Sequence, residues 1–192
     1  MELTTITFVL WTLTAAVALV ALAYAVTIYN SLIRLKHSVW KAWSNVDVLL
    51  TQRHDALPEL VKTCKQCRSF EQEALQRVME ARAAAHSARS IGDVKGVGEA
   101  EDAMRTELDN LFAAAETHPE LKTSEPFRKL QERISRLEVA IAGRRQFYNE
   151  VVSSSNVRLG QFPDGLIASS FDLGSADLLV FADPTRRNAQ LS

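Results

Sequence analysis

The chain has 192 residues, with 22 basic side chains against 23 acidic ones, so its net charge is −1. Charge this balanced argues against a nucleic-acid binder, which needs a concentrated basic face to meet phosphates. Only 7 glycines and 5 prolines are present, and the first of them is Pro58, so few turns and long helices are expected. In chain order the first element is an uninterrupted apolar run, Ile6 to Ile28, without charge, proline or glycine. At about 1.5 Å of rise per residue these roughly 23 residues make a helix of about 34 Å, enough for the roughly 30 Å hydrocarbon core of a bilayer. A cleaved secretory signal would open with basic residues and carry a shorter apolar stretch. Here Met1-Glu2-Leu3-Thr4-Thr5 holds no basic side chain, although Ala23-Tyr24-Ala25 has the small-x-small look of a cleavage site.

Arg34, Lys36 and Lys41 follow the run, whereas Glu2 precedes it. Basic flanks stay on the cytoplasmic side, which puts the N-terminus outside and the body inside. Tyr24 and Tyr29 suit the inner headgroup level. Thr14, Ala18, Ala21 and Ala25 share one face of the span, where a second transmembrane helix could approach closely. That makes a homo-oligomer one expectation.

About 160 residues remain, enough for one core. Leu32, Leu35, Val39, Trp43, Val46 and Leu50 advance in threes and fours, so the anchor and first helix are expected to form one rod to about His54. A second stripe runs through Leu57, Leu60, Cys64, Cys67, Leu75 and Val78, with Pro58 either in its first turn or kinking a continuous helix. The window from Ser90 to Gly98 holds three glycines and reads as a loop. A third helix is expected over about 99–117, ended by His118-Pro119. The fourth carries coiled-coil-like spacing in Phe127, Leu130, Ile134, Leu137, Ile141, Tyr148 and Val152. Phe162-Pro163-Asp164-Gly165 is turn chemistry, and Leu166 to Phe171 reads as one turn of helix. Leu178 to Phe181 is a short strand-like or extended run before a polar tail expected to be mobile. The fold class is therefore all-α: a transmembrane helix continuing into an antiparallel up-down four-helix bundle.

Cys64 and Cys67 form a lone C-x-x-C. It supplies half a zinc site, and no histidine or cysteine follows at ligand spacing. A thioredoxin-like pair would want a strand-to-helix setting, so packing on a helix is the expected role. No metal and no cofactor are expected.

Two stretches resemble the LemA family. One is Tyr29-Asn30 with Leu32 and Leu35, then Ala42-Trp43-Ser44, Val46-Asp47-Val48, Leu50, Arg53-His54-Asp55, Leu57-Pro58 and Leu60-Val61. The other is Glu138, Ile141-Ala142, Arg145, Tyr148-Asn149, Val152 and Asn156, with Phe162-Pro163 and Ile167-Ala168 beyond. His118-Pro119-x-Leu121-Lys122 is similar to the family's Tyr-Pro-x-Leu-Lys turn. The resemblance implies a bacterial inner-membrane protein, single-pass, with a cytoplasmic helical bundle over residues 29–171. Residues 1–5 would then lie outside, 6–28 would span the membrane, and 172–192 would form a partly mobile tail. It implies no reaction, and so an interaction or scaffolding role by analogy. Asp172-Leu173 departs from the family's usual Gly-Phe, and Ser155 stands where a tyrosine often does.

Polar residues fall on faces that should be apolar: Asp47, Arg53, His54, Asp55, Glu138, Arg145, Tyr148 and Asn149. Di-iron bundles use Glu-x-x-His, which this chain lacks. An ion-pair network is the leading reading, with Asp47 and Glu138 accepting from Arg53 and Arg145 and so fixing helix register. A surface partner site is the alternative, and proton-moving catalysis the third. The expected function is a membrane-anchored scaffold with a protein partner and no catalysis of its own. A membrane-organising oligomer is second, and a metal or redox protein using Cys64 and Cys67 third.

Overall fold

The computed structural model describes residues 2–67 and 70–181, with side chains from residue 5 onward. Its helices are α1 (Glu2–Cys64), α2 (Gln72–Ile91), α3 (Val94–Glu116), α4 (Pro119–Thr123), α5 (Glu125–Leu159) and α6 (Asp164–Ser170). No strand occurs among the described residues, and 173–181 run extended. The expected strand-like run at Leu178 to Phe181 is thus extended chain without a sheet. The polar tail beyond residue 181 lies outside the described residues. Two compact units divide the chain, one drawn from residues 1–40 and 151–176, the other from 41–150 and 177–181.

In the first unit, residues 5–24 of α1 are exposed on every side. That is the pattern of a helix whose apolar surface meets no protein. It is the one helix among the described residues long and apolar enough to cross a membrane. At the end of the run, Ile28 and, one turn further on, Leu32 pack with Ala168 of α6, flanked by Leu35, Leu159, Ile167 and Leu173. The Arg158 Nε donates to Asp164 Oδ2 at 2.6 Å, holding the start of α6 against the end of α5. Asp172 closes the turn after α6 with φ 51°. This is the left-handed region that glycine favours.

In the second unit, one apolar core gathers Leu57, Leu60 and Cys64 of α1, Leu75 and Val78 of α2, and Met104, Leu108 and Leu111 of α3. Leu121 of α4 and Phe127, Leu130 and Ile134 of α5 complete it. The rest of α1 does not end near His54 as expected but runs to Cys64, straight through Pro58. A proline inside a helix removes the N–H owed to the carbonyl four residues earlier, here that of His54. Arg82 of α2 takes over, its Nε donating to the His54 carbonyl at 3.0 Å. The helix continues because a side chain from a neighbour satisfies the orphaned acceptor.

Two further expectations need correction. The stripe from Leu57 to Val78 is not one helix, because α1 ends at Cys64 and α2 begins at Gln72. Cys67 therefore lies in the turn between them, where its N–H donates to the Cys64 carbonyl at 3.1 Å. Both cysteines are buried in the apolar core without a disulfide. The glycine-rich window is also not a loop, since only Gly92 and Asp93 separate α2 from α3. Gly92 ends α2 at φ 77° and Asp93 starts α3 by accepting from the Lys95 N–H. Gly98 lies inside α3 for another reason: a Cβ there would stand 2.3 Å from the carbonyl oxygen of Val180. His118-Pro119 does end α3, with Pro119 opening α4.

Candidate functional site

The core stripes of the second unit are interrupted by charge at regular slots. Positions 46, 50, 53, 57, 60 and 64 of α1 alternate by four and three, and the slot at 53 holds arginine. In α3 the positions 97, 101, 104, 108 and 111 do the same, with glutamate at 101. Heptad spacing aims such residues into the interior. There the Arg53 guanidinium donates through one nitrogen to Glu101 and through the other to Glu138 of α5. Arg53 and Glu101 are fully buried, whereas the Glu138 side chain keeps 25% of its surface. Burial pushes the Glu101 carboxyl up, opposed by the charge and hydrogen bond of Arg53. The forked donor set of arginine suits this bridge between two carboxylates.

Asp47 does not join this cluster, contrary to the expected pairing with Arg53 or Arg145. Its carboxylate accepts from the Nε of Arg89 at 2.9 Å, and the same guanidinium reaches the Thr51 hydroxyl at 2.5 Å. Arg82 and Arg89 are two helical turns apart on α2, as His54 and Asp47 are on α1, so each arginine meets its own partner. Asp55 is exposed, unlike the neighbouring buried His54, because consecutive helical residues point about 100° apart. Nor does Arg145 pair with Asp47 or Glu138. Its guanidinium lies 4.4 Å above the ring of Phe181, a cation–π contact. Burial and Arg105 lower its affinity for the proton, while Asp102 acts the other way.

His54 is buried among cations. Its pKa falls from 6.5 to about 4, through burial first, then Arg82, Arg89 and His86, with Asp55 opposing. The unfolded chain takes up this proton near 6.5 and the folded one only near 4. Stability from this group is therefore complete above that upper value and is lost as pH falls through the window, by on the order of 3 kcal/mol. Urea unfolding of the full chain in detergent micelles should show this loss, and His54→Gln should remove most of it relative to the unaltered chain. Equal slopes for the two proteins would contradict the assignment.

The remaining signature residues hold the extended segment. The Asn149 amide donates to the Leu179 carbonyl at 3.0 Å and accepts from the Leu179 N–H at 2.8 Å. This reciprocal pair imitates the bonds of a neighbouring strand. The Tyr148 hydroxyl donates to the Asp177 carbonyl at 2.9 Å, and burial raises its pKa. Leu179 is fully buried. Within the first unit Asn156 makes the same reciprocal pair with Ala176, at 2.9 and 3.0 Å.

Sequence reasoning missed Glu101, Arg82, Arg89 and Gly98. Glu101 was legible as a charge in a core slot of α3, but the glycines around it suggested a loop and hid the first turns of the stripe. Of the proposed transmembrane face, Thr14, Ala18 and Ala21 are exposed and Ala25 is half-buried. The Thr14 hydroxyl is spent on the Trp11 carbonyl at 2.9 Å. A cavity of about 680 Å³ lies beside Val61, Lys65, Cys67 and Phe70. A groove of about 410 Å³ lies beside Glu59, Lys129 and Arg133. Neither is lined by the buried charges. Among the described residues no group of three or more His, Cys, Asp or Glu could hold a metal ion.

Taken together, these features define a protein whose described elements are all helices, with one helix among them fit to cross a membrane and paired charges in the interior. The family model for the LemA family matches residues 42–192. The chain belongs to the LemA family. No curated protein matches it.

Proposed function

We propose that this is a single-pass protein of the bacterial inner membrane, anchored by residues 6–28, whose helical body faces the cytoplasm and serves as an interaction scaffold. The observation that carries the reading is α1 itself, since one helix holds both the exposed apolar run and core residues of the body. The basic residues Arg34, Lys36 and Lys41 beyond the run favour a cytoplasmic body. We further infer that α1, α2, α3 and α5 pack as an antiparallel four-helix bundle. Partner positions support it, because Arg82 meets His54 while Arg89 meets Asp47, so α2 ascends as α1 descends.

The charged interior favours a structural role. The two terminal nitrogens of Arg53 bond Glu101 and Glu138, and neither depression described above opens onto these three groups. A catalytic carboxylate needs access to substrate. Photocrosslinkers placed on exposed positions of α5, such as Glu132 and Arg136, and activated in native membranes test the scaffold. A defined protein recovered repeatedly supports it, and recovery of the chain alone counts against it. Extraction of the chain by alkaline carbonate would overturn the anchoring.

A further inference from the structure

Beyond the apolar run of α1, the first unit exposes large apolar side chains in and beside α6, besides Trp40 and Val157. Phe162 is 84% exposed, Leu166 61% and Phe171 59%. All three belong to a stretch of ten residues otherwise tied down. Asp164 is buried against Arg158 at 2.6 Å, and Ala168 packs on α1. The carboxylate in this segment that lies closest to α5 is thus neutralised by an arginine. The large side chains left outward in this stretch, Phe162, Leu166 and Phe171, are apolar, with the small polar Ser169 and Ser170 beside them.

Its position along α1 says what covers it. Ala168 packs on Ile28 and Leu32, and the ring of Phe171 stands 4.7 Å from that of Tyr29. Ile28 is the last residue of the apolar run. From Ile28 to Leu32 the helix rises only about 6 Å. The headgroup zone on each side of a bilayer is about 5–8 Å deep, and interfacial segments bury their apolar face about 5–10 Å into that boundary. The exposed residues of α6 therefore share the depth of the membrane surface. Arg34 and Lys36, both exposed, follow within the next turns and suit phosphate headgroups.

We propose that residues 162–171 form an interfacial wedge, with Phe162, Leu166 and Phe171 inserted at the boundary of headgroups and acyl chains beside the exit of α1. The inference rests on the anchoring of residues 6–28 and goes beyond it by giving the body a second lipid contact. A single span fixes neither tilt nor rotation of what it carries. A lateral apolar wedge restrains both for the segment that carries it.

Hydroxyl-radical footprinting of the unaltered full chain tests this, in nanodiscs of phosphatidylcholine and phosphatidylglycerol loaded with one copy each. Oxidation of each aromatic is read by mass spectrometry against Phe147, which is exposed on α5. Phe162 and Phe171 should be oxidised about fivefold or more slowly than Phe147, in company with Phe8 and Trp11 of the span, because lipid shields them. If Phe8 and Trp11 are protected while Phe162 and Phe171 react like Phe147, the wedge is overturned and the anchor stands. If Phe8 and Trp11 also react like Phe147, the anchor fails and the wedge with it. Protection of Phe162 that arises only in discs holding two copies would overturn the wedge in favour of a contact between chains.

Discussion

Replacing Arg53 by alanine should destabilise the folded body by about 3–5 kcal/mol, more than any other single change in the charged interior. The guanidinium bridges Glu101 and Glu138. Its loss leaves a fully buried carboxylate without its hydrogen-bonded counter-charge, and such breakage of a buried pair costs about this much. Arg53→Lys should recover only part of the loss, because one ammonium cannot serve two carboxylates as a planar fork does. Glu138→Ala should cost less, since that side chain is partly open to solvent. A triple change of Arg53 to methionine and of both glutamates to leucine should restore most of the stability, since well-packed apolar replacements of ion networks are often neutral. Denaturant unfolding of the detergent-solubilised chain, followed by helical circular dichroism, measures all four. A midpoint for Arg53→Ala within error of the unaltered protein would end this account. Unchanged unfolding of Glu138→Ala together with a lost cellular phenotype would instead mark that residue as a partner site.

The second large effect is expected at Gly98. An alanine Cβ would meet the Val180 carbonyl oxygen at 2.3 Å, against backbone that cannot swing aside as a side chain can. Either α3 shifts or the extended segment lifts, and the segment is held by fewer contacts. Lifting it withdraws Leu179 from the core and opens the reciprocal bonds to Asn149. The cost should be about 2–5 kcal/mol, the range for removing a buried leucine. Hydrogen exchange reads the event directly, because the Leu179 amide is bonded to Asn149. In Gly98→Ala that amide should exchange many times faster, while amides in the middle of α5 stay protected. Asn149→Ala should reproduce the local exposure at a lower cost, about 1–3 kcal/mol for the unsatisfied backbone groups it leaves. Full protection of Leu179 in Gly98→Ala would show that the close approach is relieved elsewhere.

The failure at the glycine window and the success at α5 have one cause. Along α5 the apolar slots from Phe127 to Val152 keep the helical period, with Arg144 or Arg145 at one of them, so its existence needs no neighbour to explain it. Gly96 and Gly98 break that local logic, because the reason for a missing side chain at Gly98 is a carbonyl more than 80 residues away. Pro58 is the mirror case. Local rules allow it only in a first turn or at a kink, yet Arg82 supplies the missing donor from another helix. The cysteines show the same division, since their burial was legible from their apolar setting but the turn at Cys67 was not.

From the residues alone followed the all-helical class, the membrane-length apolar run, the break at His118-Pro119 and a polar set concentrated on α1 and α5. These follow because hydrophobic period, proline sterics and run length act over a few residues of one chain segment. Only the tertiary structure decided which charge meets which. Arg53 takes Glu101 and Glu138, Arg89 takes Asp47, Arg145 lies over Phe181, and Asn149 holds the backbone of Leu179. An arginine's stripe tells that it points inward, but its partner depends on the axial offset between two helices. That offset is set by the packing of whole faces, which no single stretch of sequence contains.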